Sequence, residues 1–120
     1  MKANELRIGN WVEDTEHFKG YFQVNRISSL TVESPEWTLE YNEIKPIPLT
    51  EEWLLKFGLK QIGGSFELND DNFSLSFEGI EAFLCYGGYV EQSRPVNCKY
   101  VHQLQNLYFA LTGTELTITN

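Results

Sequence analysis

Cys98 and His102 have the spacing best suited to metal or thiolate chemistry in this 120-residue chain. If a helix already includes Asn97, a separation of four places a thiolate and an imidazole on one helix face. A structural zinc ion asks for four such ligands. The other candidates, Cys85 and His17, lie far away in sequence, and no CxxC or zinc-ligand run is present. The ordinary reading is a buried thiol on a strand-to-helix turn followed by a surface histidine. A cysteine nucleophile fares no better. Cys85 stands in an apolar run, where burial makes a thiol inert, and only Arg94 and Lys99 lie near it as basic residues. No GxSxG elbow exists for a serine nucleophile.

Asn69-Asp70-Asp71-Asn72 offers carboxylates to a hard cation, but the glycine and glutamate of a calcium loop do not follow at the required positions. Asn and Asp are ordinary turn formers. Gly63-Gly64 and Gly87-Gly88 open no helix at phosphate-loop spacing and have no Lys or Arg among them. The expectation is therefore no catalytic residue, no metal and no cofactor.

Aromatic residues are in surplus. Trp11, Tyr21, Trp37, Tyr41 and Tyr89 fall on expected strands beside polar neighbours, which makes them the candidate partner-binding surface. Small barrels use exposed aromatic rings to hold extended or proline-rich peptides; core packing is the competing role for each ring. A single-strand nucleic-acid platform would surround such rings with Lys and Arg. This chain instead carries a net charge of −8, with five basic and eight acidic residues in Met1–Thr50 and four and nine in Glu51–Asn120. Direct nucleic-acid binding is not expected. The expected partner is a protein, a second copy of the chain being one candidate.

These residues must be positioned by short strands and two helices. Leu6–Glu13, Tyr21–Ile27, Leu30–Glu33 and Trp37–Tyr41 read as strands, with a bend at Gly9, a bulge at Asn25-Arg26 and a turn at Ser34-Pro35-Glu36. So many short strands in so few residues predict a strongly bent SH3-like small barrel. Pro46-Ile47-Pro48 forbids helix and reads as an extended connector. A short helix follows, with Thr50 as N-cap, Glu51 and Glu52 in its first turn and Gly58 after its end.

Beyond it lies an antiparallel meander. Phe66 and Leu68 precede the Asn69–Asn72 turn, and Phe73, Leu75 and Phe77 then alternate with Ser74 and Ser76. Glu78-Gly79 is the next turn, Ile80–Tyr86 a central strand, and Tyr89–Arg94 a polar strand ended by Pro95. Val101, Leu104, Leu107, Tyr108 and Leu111 line one face of a closing helix that stops at Gly113, with Leu116–Thr119 as an edge strand. The fold class is thus α+β: an SH3-like β-barrel lobe over 1–48, then a lobe over 49–120 of helix, meander, helix and edge strand, the two packed as one unit.

Hydrophobic residues make up 42% of the chain and charged residues 22%, a globular rather than disordered profile. The opening residues lack the apolar segment of a secretory leader, and no apolar run reaches the roughly 20 residues of a membrane helix. A cytoplasmic location with reduced thiols, and no membrane partner, is the expectation.

Three blocks carry a resemblance: Met1–Asn10 at the start, Pro46–Gly58 in the middle and Tyr100–Gly113 near the end. They resemble a group of small proteins of Bacteroidetes genomes and of their phages or mobile elements. That group has no assigned activity, so the resemblance implies a setting and no site residue. The function expected from the residues is a non-enzymatic protein-binding or accessory module. Two alternatives stand beside it. One is an acidic DNA mimic arraying Glu13, Asp14, Glu16, Glu33, Glu36 and Glu40 like phosphates. The other is an enzyme built on Cys85 or Cys98 and a histidine.

Overall fold

Val12, Phe22, Val32, Leu39 and Ile44 on short strands, and Val24 just after one, are buried in one cluster that organises the first part of the chain. Full burial of such a side chain is worth roughly 1.5–3 kcal/mol. A single hydrogen bond nets about 1 kcal/mol. The apolar pattern, more than the ladder bonds, therefore sets the register. The structure, a computed structural model, describes residues 1–17, 20–70, 73–79, 81–86 and 93–119. It is an α+β fold, mostly antiparallel sheet with two α-helices among these residues.

The chain divides into two compact units, Met1–Pro48 with Tyr100–Glu115, and Leu49–Lys99 with Leu116–Asn120. The first unit holds β1 (Trp11–Asp14), β2 (Tyr21–Gln23), β3 (Arg26–Ile27), β4 (Thr31–Glu33), β5 (Thr38–Glu40) and β6 (Ile44–Lys45), with a 3₁₀ turn over Tyr41–Glu43 between the last two. They form two three-stranded sheets in the orders β2-β1-β6 and β3-β4-β5. No ladder among the described residues closes these sheets into a barrel. β2 runs into β3 through a bulge: the Asn25 N–H donates to the Glu33 carbonyl at 2.7 Å, while Arg26 is also paired with Glu33. Two residues thus oppose one, which is how Val24 and Ile27 both come to face the core.

The second unit holds α1 (Glu51–Lys56) and the five-stranded sheet of β7 (Lys60–Ile62), β8 (Ser65–Asn69), β9 (Phe73–Glu78), β10 (Glu81–Tyr86) and β11 (Arg94–Val96), in the order β11-β10-β9-β8-β7. Thr50 caps α1 by accepting the Trp53 N–H, and Lys56 lies over the Trp53 ring at 4.8 Å. Gly58 follows the helix at φ +90, a conformation that residues with a side chain rarely adopt. β9 alternates as its sequence predicts, burying Phe73, Leu75 and Phe77.

Several sequence expectations shift. β7 had no signal, because all three of its residues are exposed and leave no alternation to read. Gly63-Gly64 forms its turn to β8, with Ile62 paired to Ser65. Glu78 pairs with Glu81, which puts that turn one residue later than expected. Pro95 lies inside β11 opposite Phe83, tolerated because β11 is an edge strand that needs no N–H there. Leu116–Thr119 forms no strand; one backbone bond, from the Thr119 N–H to the Lys56 carbonyl at 2.8 Å, holds it near the end of α1. The closing helix α2 (Val101–Thr112) groups with the first unit, whereas the sequence reading placed it in the 49–120 lobe. The Gly87-Gly88 turn, Asp71 and Asn72 lie outside the described residues.

α2 joins its unit through polar contacts. Its buried residues are Val101, His102, Leu104 and Gln105, so two polar side chains share the face expected from the apolar stripe. Gln105 Oε1 accepts the Trp11 N–H at 2.8 Å, and its Nε2 donates to the Gly9 carbonyl at 3.0 Å. The next residue, Asn106, accepts from Asn10 Nδ2 and Arg7 Nη1 and donates to the Glu5 carbonyl. Arg7 also pairs with Glu115 and stacks 4.1 Å above the Phe109 ring. Val101 donates its N–H to the carbonyl of Ile47, which keeps the proline-flanked connector extended beside the helix start.

Candidate functional site

Trp37 ends the Ser34-Pro35-Glu36-Trp37 turn between β4 and β5. The buried Ser34 fixes this turn: its Oγ accepts the Glu36 and Trp37 N–H groups at 3.2 and 2.8 Å, and its own N–H donates to the Trp37 carbonyl at 2.8 Å. The Ser34 hydroxyl is committed to the backbone and is not poised as a nucleophile. The indole it presents is 45% exposed.

A second loop supports that indole. Asp14, at the end of β1, has no solvent exposure, and its Oδ1 accepts the N–H groups of Glu16 and His17 at 2.9 and 3.0 Å. That turn aims the His17 ring beneath Trp37, with ring centres 5.3 Å apart and planes 13° from parallel. His17 Nε2 lies 3.0 Å from Glu43 Oε2, and Glu43 Oε1 accepts the Glu40 N–H at 2.8 Å. One face of the tryptophan is thus backed by an anchored imidazole. Beside it, Phe22, Ser34, Pro35, Glu36 and Trp37 line a cleft of about 340 Å³.

The five aromatic candidates do not share one patch. Trp37 lies at this cleft. Trp11, half-buried, and Tyr21, half-exposed, occupy the outer face of the β1–β2 pair, opposite to the face that carries Val12 and Phe22. Tyr41 packs against the core and donates its hydroxyl proton to the Ser28 carbonyl at 2.5 Å. Tyr89 lies outside the described residues. In the sequence Pro35 and Glu36 read as turn residues, Glu36 also as a phosphate-mimicking carboxylate, and His17 as a distant metal-ligand candidate; none of these, nor Phe22, reads as part of a partner-binding surface. The Ser-Pro-Glu-Trp turn was the one local signal; nothing local announces that His17 will lie under Trp37.

The thiol candidates sit elsewhere. Cys98 lines a cavity of about 500 Å³ in the second unit with Phe83 and Pro95. Burial pushes its pKa up to about 12, which disfavours the thiolate needed for attack or metal binding. His102 belongs to the other unit. Among the described residues no group of three or more His, Cys, Asp and Glu side chains is arranged to hold a metal ion. Of the six carboxylates that could imitate phosphates, Asp14 is turned inward and Glu33 faces Arg26 at 3.8 Å.

His102 is buried rather than at the surface. Its ring stacks on Tyr100 at 6.0 Å, and its Nδ1 has no hydrogen-bond partner among the described residues. Burial lowers its pKa below the ordinary value of 6.5, and the nearby Glu5 carboxylate opposes this in part. The unfolded chain then binds the extra proton more readily than the folded one. Stability is fully present above pH 6.5 and falls as the pH drops through 6.5 toward the lowered native value. Urea midpoints at pH 7 and pH 5 should therefore drop more in the wild type than in His102→Leu. Equal drops would show that His102 does not supply this dependence.

No helix of the described residues is long and apolar enough to cross a membrane. No protein-family model, curated protein or solved structure matches the chain.

Proposed function

We propose that this chain is a non-enzymatic protein-binding module, and that its first unit is an SH3-like small barrel holding an extended peptide at the Trp37 cleft. The observation that carries the reading is an indole 45% exposed, backed by His17 and bordered by Phe22 and Pro35. Exposed tryptophan is costly to leave in water and is among the residues that dominate binding interfaces. A ring already stacked and a turn already bonded lose little freedom when a ligand arrives. The barrel reading is supported by the bent β2–β3 ribbon, which joins both sheets, and by the 3₁₀ turn between β5 and β6. A place in phages or mobile elements rests on the resemblance of the three sequence blocks.

The test is selection from a displayed library of random eight-residue peptides. Enriched peptides should bind the wild type and lose about thirtyfold or more in affinity to Trp37→Ala, the loss expected of an interface hot spot. Trp37→Ala should keep the wild-type circular dichroism spectrum, because the ring lies outside the core cluster. Peptides that bind both proteins equally, or no enrichment at all, would overturn the reading.

A further inference from the structure

The chemistry of the cleft narrows its occupant, granted that it binds peptides. Its apolar lining is Phe22, Pro35 and Trp37, and its one charged lining residue is Glu36. The segment that builds it, residues 31–43, contains Glu33, Glu36, Glu40 and Glu43 and no Lys or Arg. Glu33 is balanced by Arg26, and Glu43 lies against His17. Among the described residues Glu36 and Glu40 have no ion-pair partner. An indole face is electron-rich and attracts cations. A guanidinium can stack on such a face and direct its fork of N–H donors to a neighbouring carboxylate, which an ammonium cannot match.

We propose that the Trp37 cleft receives an arginine side chain from an extended, basic segment of a partner protein, stacked on the indole and paired with Glu36. The net charge of −8 favours the approach of such a segment, and the attraction should weaken with salt.

The experiment uses the full chain and the same displayed eight-residue library, read by composition. Arginine should be enriched at one position of the recovered peptides. Replacing that arginine by citrulline, its neutral isostere, should weaken binding about tenfold or more, and lysine should be intermediate. Glu36→Gln should lose several-fold in affinity for the arginine peptide, lose nothing for the citrulline peptide, and flatten the salt dependence. Two failures are distinguishable. Trp37-dependent peptides without arginine, or citrulline equal to arginine, would overturn the arginine assignment and leave peptide binding standing. An absence of Trp37-dependent binders would overturn both.

Discussion

Truncating Leu75 to alanine should lower the free energy of unfolding by roughly 2–5 kcal/mol, the cost of removing a large buried aliphatic group and leaving a cavity. Leu75 has no solvent exposure and lies on β9, in the middle of the five-stranded sheet. It stands opposite Leu68 on β8 and Leu84 on β10, and shares its strand face with Phe73 and Phe77. Neighbours fixed on both sides cannot close the gap by moving a loop. Total stabilities of about 5–15 kcal/mol make this a large fraction. Urea unfolding should show a midpoint lower by about 1–2 M at unchanged slope. Ser74→Ala, on the other face of the same strand, should stay within about 0.5 kcal/mol. A loss under about 1 kcal/mol for Leu75→Ala would mean that the sheet face is not packed as described.

Gln105→Leu should cost about 2 kcal/mol although it places a more apolar side chain in a buried position. The Trp11 N–H loses its acceptor on Gln105, and a partly buried donor that loses its acceptor costs about 1–3 kcal/mol. The Gly9 carbonyl is less affected, since Gln23 Nε2 still donates to it at 3.1 Å. Relief from desolvating the amide offsets part of the loss. Hydrogen exchange supplies a local readout: the Trp11 amide should lose protection by more than the global loss accounts for. An unchanged Trp11 exchange rate would show that the glutamine does not tie α2 to β1.

The parts legible in the sequence were those written in local chemistry. Thr50 and Gly58 mark the ends of α1 by themselves, and Phe73, Leu75 and Phe77 announce β9 through a period of two. The phase slip at Asn25-Arg26 gave the bulge. What stayed hidden depended on distant partners. His102 reads as a surface histidine and Gln105 is absent from the expected apolar stripe, yet Gln105 is buried because its amide meets backbone groups of residues 9 and 11, nearly a hundred positions away. The edge strand expected over Leu116–Thr119 had β-forming residues but found no ladder to join. The candidate site divides in the same way. Trp37 was named from its type and its place on an expected strand beside polar neighbours, whereas the support by Asp14, His17 and Glu43 arises from a loop brought in by the β1–β6 pairing.

The central claim, that the Trp37 cleft is where this chain holds its partner, is tested most directly by titrating a selected peptide into ¹⁵N-labelled protein and following the three tryptophan indoles. The account predicts that the Trp37 indole signal moves first and furthest, together with the amides of Phe22, Ser34, Glu36 and Trp37, while the Trp53 indole stays in place. Shifts centred on Trp11 and Tyr21, or on the second unit, with Trp37 unmoved would contradict it.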